Sequence, residues 1–451
     1  MDPAGVHADD KTWQLPETVM DGGTRAPPEA WGATRRTEPL TTNNAPVIQS
    51  SAQAFVALLM VSAIVAMVAE RLPVPFVVMV AVLGCAGGAV LGEGRITLTP
   101  QLILFILLPG LLFEAAFRLE WRRLRAGVLP ILALATIGVL VTTAVVALLG
   151  HLFLGLGLGV AVVFGCVVSP TDPVAVVAVF RRLGMPAQLV TLIEAESLVN
   201  DGTAVVLFGI ALAAATGQPA TAPGVLLDLL RLVGGGVGIG VAIGVTLSWV
   251  VARIDDPQVE VSATVLCAYG TYLAADAIHT SPILAVVAAA VIMGNYGRGH
   301  GMSVRTQVAV DAVWDYITFM LNAATFLLIG FAVPWQGLIT RAGTICLAFA
   351  ILIAARALAV YGVLGVLSPF GRHLAYRRQH LLVWGGLRGA VAVALLLSLV
   401  NHGPEFDTVR ALAYGVVLLS IVVQGATVGP LARRLLPGTG GLPKTPIHAQ
   451  S

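Results

Sequence analysis

Charged residues are scarce in this sequence of 451 residues. Asp, Glu, Lys and Arg make up 11% of the chain and apolar residues 57%, whereas a soluble protein carries about 25% charged residues. The mean hydropathy of +0.90 fits a chain whose apolar side chains face lipid as well as one another. The composition therefore argues against soluble globular, disordered and nucleic-acid-binding proteins, and the net charge of +2 points to no particular partner.

Cysteine is also scarce, and its placement excludes two kinds of site. The four cysteines, Cys85, Cys166, Cys267 and Cys346, each lie in an apolar run, and none forms a CxxC motif or a cluster with histidine. Neither a disulfide framework nor a structural zinc site is indicated. We expect all four side chains to be buried as small apolar groups.

Long apolar runs dominate the rest of the chain. Residues 1–50 are rich in proline and polar residues, lack the order of a signal peptide, and are predicted to be a disordered N-terminal tail. Residues 51–436 form thirteen apolar blocks of roughly 20 residues, the length of a helix that spans a bilayer. The blocks are about 52–70, 73–92, 100–118, 127–149, 156–180, 187–215, 225–252, 261–278, 282–296, 308–333, 340–367, 379–401 and 408–435. They predict an all-α polytopic protein with 13 transmembrane helices in contact with membrane lipid.

The basic residues between the blocks predict the orientation of these helices. Sixteen of the basic residues from Arg71 onward fall in loops on one side, whereas Arg95, Arg231, Arg341 and Arg410 fall on the other. Because cytoplasmic loops are enriched in Lys and Arg, the C-terminus, including a short tail over 437–451, is predicted to be cytoplasmic. An odd number of spans then places the N-terminus outside.

One of the blocks carries a run of glycines. Gly236, Gly240 and Gly244 recur every four residues in the seventh block and therefore share one helix face. We expect this face to allow close approach of a neighbouring helix. A nucleotide-binding glycine loop is the competing interpretation, but no strand precedes these glycines.

Two neighbouring blocks concentrate ionisable residues at membrane depth, where each one costs roughly 2.5–3.5 kcal/mol and is a functional candidate. Residues 169–173 read Ser-Pro-Thr-Asp-Pro, and the two prolines must interrupt the helix in mid-membrane. Thr171 and Asp172 offer oxygens at this break. In the next block Ser197 and Asp201 are four residues apart and share a helix face, with Glu196 and Asn200 on the neighbouring face. Together these groups suit an alkali cation and protons.

A second interruption lies near the other end of the chain, where residues 384–389 read Trp-Gly-Gly-Leu-Arg-Gly. Six blocks lie on each side of the seventh, and each interruption falls in the fifth block of its half. The pattern predicts two inverted six-helix repeats around a linker helix, with helices 5 and 12 broken. Paired broken helices of this kind indicate the site of a secondary transporter.

With these motifs in place, the chain resembles the sodium/proton exchangers of the first monovalent cation:proton antiporter family over about 52–436. The strongest motifs are Ser-Pro-Thr-Asp-Pro-Val at 169–174, Glu-Ser-Leu-Val-Asn-Asp at 196–201 and Gly-Gly-Leu-Arg-Gly-Ala at 385–390. Leu-Leu-Phe-Glu-Ala-Ala at 111–116 and Ala-Arg-Ala-Leu at 355–358 add weaker support.

The resemblance implies a role for each matching position. Asp201 would bind either a proton or Na⁺, and Asp172, Ser197 and Thr171 would complete the Na⁺ shell. Asn200, directly before Asp201, would also belong to the cation- and proton-binding group, and in this family asparagine at that place is associated with electroneutral one-for-one exchange. The three remaining charges would be structural or coupling groups: Glu196 pairs with Arg356, and Arg388 lies at the crossing of the broken helices.

The resemblance also implies an architecture. A transport core, about 127–215 and 340–435, would move against a dimerisation domain, about 52–118 and 225–333, in a homodimer. Neither cofactor nor enzymatic activity is implied, and no nucleic acid is expected as a partner. Animal members extend into a long regulatory tail, whereas only 437–451 follow the last block here. A bacterial-type exchanger in the inner (plasma) membrane is therefore expected.

Several alternatives remain open from the sequence. The exchanged cation is Na⁺ by resemblance, but K⁺ or Li⁺ would use the same oxygen ligands. A cation channel would share the oxygen-lined breaks and would conduct without proton counterflow. An intramembrane aspartyl protease would need two catalytic aspartates, and no acid lies beside the second break.

Overall fold

A computed structural model describes residues 60, 63–65, 67, 74–91, 99–217, 222–370, 374–400 and 402–436. The predicted tails at 1–50 and 437–451, and most of the first apolar block, lie outside these residues. Those parts of the prediction are not addressed by the structure.

From residue 74 onward the described residues form fifteen helices, a short 3₁₀ turn and no strand. They are α1 (Phe76–Leu91), α2 (Leu102–Phe117), α3 (Trp121–Leu154), α4 (Leu158–Val168), α5 (Val174–Arg182), α6 (Ala187–Ala215), α7 (Ala222–Val251), α8 (Pro257–Ala277), α9 (Pro282–Gly297), α10 (Val304–Phe331), α11 (Trp335–Thr340), α12 (Ala342–Leu367), α13 (Tyr376–Trp384), α14 (Ala390–Ser398) and α15 (Pro404–Leu435). Among them, α3, α6, α7, α10, α12 and α15 are long and apolar enough to span a membrane. Helices α2, α3, α9 and α15 each contain a π-helical segment.

Local chemistry explains where several helices begin and end. Backbone polar groups cannot be left unpaired in lipid, so apolar runs fold as helices. Helix α8 begins where the Asp256 carboxylate accepts hydrogen bonds from two backbone N–H groups, followed by Pro257. Helix α9 begins where the Ser281 hydroxyl accepts a hydrogen bond from the N–H of Leu284, and Pro282 follows. Helix α3 ends at Gly155, whose φ of +67° favours glycine.

The helices account for twelve of the thirteen predicted blocks. The fifth block is divided into α4 and α5, and the twelfth into α13 and α14, so both predicted interruptions are confirmed. The remaining block is the first, of which only a few residues are described. The number of thirteen spans and the inverted repeats therefore stay predictions.

The helices pack in two sets. In one set, α12 packs against α3 and α15, and α4 packs against α3 and α6. In the other, α10 packs along α1, and α9 packs against α7, α8 and α2. The first set lies within the ranges predicted for the transport core and the second within those predicted for dimerisation. The roles themselves remain to be tested.

The predicted glycine face of the seventh block is the contact between α7 and α9. Gly236, Gly240 and Gly244 all face α9, and a Cβ on Gly244 would lie 2.9 Å from the backbone of Ala289. A larger side chain would force the two helices apart. The close-approach interpretation of this glycine run is confirmed.

The prediction for the cysteines is wrong at one position. Cys85, Cys166 and Cys267 are buried, but Cys346 is exposed on α12. An apolar sequence context predicts burial in a soluble protein, whereas the outer face of a membrane helix is apolar as well. The hydropathy of the surrounding block therefore could not separate the two environments.

Candidate functional site

The first break separates α4 from α5 by residues 169–173. Pro170 and Pro173 have no backbone N–H to continue a helix. The Ser169 hydroxyl donates to the carbonyl of Cys166 at 3.1 Å, at the end of α4. The Asp172 carboxylate accepts from the N–H of Val174 at 3.0 Å and so places a negative charge at the N-terminus of α5, where the helix dipole favours it.

The second break, between Trp384 and Ala390, crosses the first. The N–H of Asp172 donates to the carbonyl of Leu387 at 2.8 Å, which forms a single antiparallel bridge between the two breaks. The contact is so close that a Cβ on Gly389 would lie 2.5 Å from the Cβ of Asp172. Only glycine at this position allows the crossing.

A small cavity of about 70 Å³ lies beside the crossing. Asp172, Asp201, Ser197 and Thr171 are its polar lining residues, and no basic side chain of the described residues lines it. Its apolar lining is formed by α2, α6, α14 and the first break: Leu108, Leu111, Leu112, Ala115, Pro170, Pro173, Val174, Leu198, Gly389, Ala390, Val391 and Ala392. The structure thus brings together the four residues predicted to bind Na⁺, which come from two separate segments.

Helix α6 supplies two of these four residues. The Ser197 hydroxyl donates to the backbone carbonyl of Thr171, which joins α6 to the first break. One turn later, Asp201 is buried with 9% of its surface exposed. Its carboxylate has no hydrogen bond or ion pair with any residue that the structure describes, so its oxygens are available for a cation or a proton.

Asn200 is adjacent to the cavity but does not line it. Its amide oxygen accepts from the N–H of Thr171 at 3.3 Å, and its amide nitrogen donates to the Thr171 hydroxyl at 2.8 Å. The same nitrogen donates to Glu196 at 3.2 Å. The Asn200 side chain therefore joins α6 to the first break through hydrogen bonds to Thr171.

Glu196 and Arg356 form a buried ion pair between α6 and α12. The guanidinium donates to both carboxylate oxygens, each at 2.8 Å, and the two residues are 1% and 3% exposed. This is the partnership that the family resemblance implied. A bidentate arrangement is among the strongest geometries for a hydrogen-bonded ion pair.

Arg388 lies in the second break and binds the backbone there. Its guanidinium donates to the carbonyl of Val168, at the C-terminus of α4, and to the carbonyl of Gly386. A cation is favoured at a helix C-terminus, where carbonyls lack partners within the helix. Asp172 and Arg388 thus place charges of opposite sign at the ends of the broken helices.

Two residues that the sequence analysis did not select support the second break. Ser420 and Gln424 lie in the π-helical segment of α15. Ser420 accepts from the N–H of Arg388 at 3.1 Å and donates to Gln424 at 2.6 Å, and Gln424 donates to the carbonyl of Trp384 at 2.9 Å. Two polar residues four apart in an otherwise apolar block were the signal that could have identified them.

A larger cavity of about 630 Å³ lies nearby and is rich in charge. Its lining includes residues of α2, α5, α6 and α9. Four ion pairs lie at this cavity, which we call the vestibule: Glu114–Arg118 at 2.5 Å, Glu120–Arg123 at 2.9 Å, Arg181–Glu194 at 2.6 Å and Arg298–Asp311 at 2.6 Å. Arg118 also pairs with Asp315. The charged residues outside the predicted ligand set are thus mostly paired with one another.

An all-helical membrane fold in which two broken helices cross beside the carboxylates of Asp172 and Asp201 is the architecture of a secondary transporter. Comparison with known proteins agrees with this class. A family model described as sodium/hydrogen exchanger, transmembrane, matches residues 56–434. The chain belongs to the sodium/hydrogen exchanger family.

Individual relatives are similar over most of their length. The Na⁺/H⁺ antiporter NhaP of Pseudomonas aeruginosa is 40% identical over 343 residues, which cover 73% of this chain and 80% of the relative. The Na⁺/H⁺ antiporter ApNhaP of Aphanothece halophytica is 37% identical over 366 residues, which cover 80% of this chain and 70% of the relative. The solved structure of the sodium proton antiporter MjNhaP1 from Methanocaldococcus jannaschii at pH 8 matches with a TM-score of 0.70 and 20% identity, covering 86% of this chain and 99% of that one. At this identity the likeness concerns the fold.

Proposed function

We propose that this protein is a secondary antiporter that exchanges Na⁺ for H⁺ across a bacterial plasma membrane and so serves pH homeostasis. The observation that carries this proposal is the cavity at the crossing, which is lined by the buried carboxylate of Asp201 and the half-buried carboxylate of Asp172, with no basic side chain among its described lining residues. The family and the names of its relatives support the choice of transported ions.

The chemistry of the cavity suits one hard cation. Carboxylate, hydroxyl and carbonyl oxygens are the donors that such ions prefer. Asp201 supplies the exchanging carboxylate, and Asp172, Ser197 and Thr171 supply the other oxygens. Because the Ser197 proton is donated to the Thr171 carbonyl, the hydroxyl oxygen keeps its lone pairs for the ion.

The surrounding residues hold this shell in place without carrying the ions. Asn200 fixes Thr171 relative to α6, while Glu196 and Arg356 compensate each other. Arg388 compensates the Val168 carbonyl at the first break. Asp201 is then the one group whose charge changes, which accounts for a single ion exchanged against a single proton.

Competition at Asp201 couples the two fluxes. The carboxylate holds a proton or Na⁺, and its buried position disfavours movement of the core with an empty, charged site. A one-for-one exchange moves no net charge, so the membrane potential, worth about 2.3 kcal/mol per charge per 100 mV, does not contribute. Each tenfold proton gradient supplies about 1.4 kcal/mol for Na⁺ movement.

The proposed architecture is a homodimer with alternating access. The set containing α3–α6 and α12–α15 moves as the transport core against the set containing α1, α2 and α7–α10. With the C-terminus cytoplasmic and the N-terminus outside, the charged vestibule opens to the cytoplasm. Each of the ion pairs named at the vestibule joins residues of the same set, so none of them opposes the movement.

Asp201→Asn tests the proposal directly. Everted vesicles that contain the wild-type protein should show a Na⁺-dependent pH change, and the variant should lose it. Asp228→Asn is the matched control, because Asp228 is exposed on α7 and should not affect exchange. Retained exchange in a correctly inserted Asp201→Asn variant contradicts the assignment.

Reconstituted transport in Na⁺, Li⁺ and K⁺ separates the alternatives. Faster exchange with K⁺ or Li⁺ than with Na⁺ would indicate an antiporter of the same fold with a different cation. Running the assay with and without a clamped membrane potential tests electroneutrality. A measurable current without proton counterflow would indicate a channel and would overturn antiport.

A further inference from the structure

A third cavity, separate from the site and the vestibule, lies between the two helix sets. This crevice of about 400 Å³ has α5 and α15 on one side and α1 and α10 on the other. Its volume falls in the range of about 300–1,000 Å³ typical of ligand pockets. The proposed exchange mechanism assigns it no role.

The crevice walls are mostly apolar. Phe76 of α1 stacks on Phe319 of α10, with ring centroids 4.9 Å apart, and Val179 of α5 lies opposite. Gly429 of α15 adds backbone without a side chain, and a Cβ there would meet Val179 at an ordinary contact distance of 3.5 Å. A larger side chain at position 429 would therefore extend into the space beside Val179.

Two arginines are the only charged residues among the described lining of this crevice. Arg182 is in the last turn of α5, and Arg433 is in the last turn of α15. Neither has a hydrogen bond or an ion pair with another residue in the described ranges. The neighbouring Arg181, in contrast, is paired with Glu194 at 2.6 Å. Two cations from separate helices thus converge on one apolar crevice without a protein anion.

We propose that this crevice binds an anionic phospholipid. The phosphate group accepts charge-assisted hydrogen bonds from Arg182 and Arg433, and an acyl chain fills the space between Phe76, Phe319 and Val179. Basic pockets between transmembrane helices on the cytoplasmic side recognise anionic headgroups, and the positive-inside pattern places both arginines on that side. A soluble phosphate would satisfy the arginines but leave the apolar walls unfilled.

The consequence rests on the proposed function. A lipid in this crevice contacts α5 and α15 of the moving set and α1 and α10 of the other set. Its presence therefore affects the relative position of the two sets, and exchange should depend on the fraction of anionic lipid in the membrane.

Lipid retention can be measured without transport. The purified protein is titrated with phosphatidylglycerol or phosphatidylcholine, and bound lipid is counted by native mass spectrometry. Because each arginine near a membrane surface contributes about 1 kcal/mol, Arg182→Gln or Arg433→Gln should weaken phosphatidylglycerol binding about fivefold and the double variant about 25-fold. Phosphatidylcholine should bind more weakly to the wild type and be little affected. Arg434→Gln is the matched control, because this exposed arginine on the same turn does not line the crevice.

A second variant tests the apolar part. Gly429→Leu should fill the crevice and reduce phosphatidylglycerol binding with both arginines intact, whereas Gly362→Leu, at an exposed glycine of α12 with no atom near its Cβ position, should not. Glycerol phosphate should fail to displace the lipid. Wild-type binding by the Arg182/Arg433 double variant, an equal loss in Arg434→Gln, or full displacement by glycerol phosphate would each overturn the proposal.

The same titration with Asp201→Asn separates this proposal from the exchange mechanism. That variant should lose exchange and keep the lipid. Loss of lipid specificity with intact exchange would reject the lipid site alone, whereas specific lipid binding by a protein that never exchanges Na⁺ would reject the proposed function alone.

Discussion

Replacing Glu196 by glutamine should destabilise the fold more than replacing Arg356 by glutamine, although the two residues form one ion pair. After Arg356→Gln, the remaining carboxylate can take a proton and become neutral, and Asn200 still donates to it at 3.2 Å. After Glu196→Gln, a buried guanidinium remains that cannot lose its charge. The guanidinium groups of Arg356 and Arg388 lie near each other, since a Cβ on Gly386 would lie 3.1 Å from the first and 3.2 Å from the second. After Glu196→Gln these two positive charges remain close together without an anion.

The expected magnitudes follow from burial. Removing one partner of a buried pair costs roughly 3–5 kcal/mol, and we assign this range to Glu196→Gln. Arg356→Gln should cost about 1–3 kcal/mol, the range for a buried polar group that has lost its partner. The double variant should be more stable than Glu196→Gln alone, because the second change removes the uncompensated charge. The coupling between the two changes should therefore exceed the cost of Arg356→Gln alone and reach about 3 kcal/mol.

The measurement is the free energy of unfolding in mixed detergent micelles, followed by circular dichroism. Asp407→Asn is the control, because Asp407 and Arg410 form an ion pair at 2.9 Å with side chains 65% and 33% exposed, and its loss should cost less than about 1 kcal/mol. A greater loss for Arg356→Gln than for Glu196→Gln, or simple additivity in the double variant, would refute the role given to Arg388.

Two further predictions concern the second break. Gly389→Ala should abolish exchange and lower stability, since the added Cβ would overlap Asp172. Gly362→Ala, whose Cβ would meet no atom, should leave exchange intact. Normal exchange in Gly389→Ala would contradict the close crossing. Gln424→Leu should slow exchange several-fold, because the carbonyl of Trp384 loses its hydrogen-bond donor, and should leave lipid retention unchanged. Exchange at the wild-type rate would show that this hydrogen bond does not position the break.

Much of the fold was predictable because its signals are local in the sequence. Apolar block length predicted twelve segments that are helical in the structure, and the prolines at 170 and 173 predicted the first break. The i, i+4 spacing of Ser197 and Asp201 predicted that both would face one site, and both line its cavity. Each of these inferences needs only the periodicity of a helix and the composition of one segment.

The partners of the polar groups depended on the tertiary structure. Asn200 and Asp201 are adjacent in sequence, yet the Asn200 amide is hydrogen-bonded to Thr171 and Glu196, whereas the Asp201 carboxylate lines the cavity and remains available to an ion. The support of the second break by Gln424 and the exposure of Cys346 were likewise not predicted.

The sequence by itself determined which segments are apolar helices, where two of them break, and which charged residues lie within them. The tertiary structure decided which of those residues are compensated, since Glu196 meets a guanidinium 160 positions away and Asp172 meets the second break. The physical reason is that hydropathy and proline act within one helix, whereas the compensation of a buried charge depends on the oxygens and nitrogens that other helices bring to within about 3 Å of it.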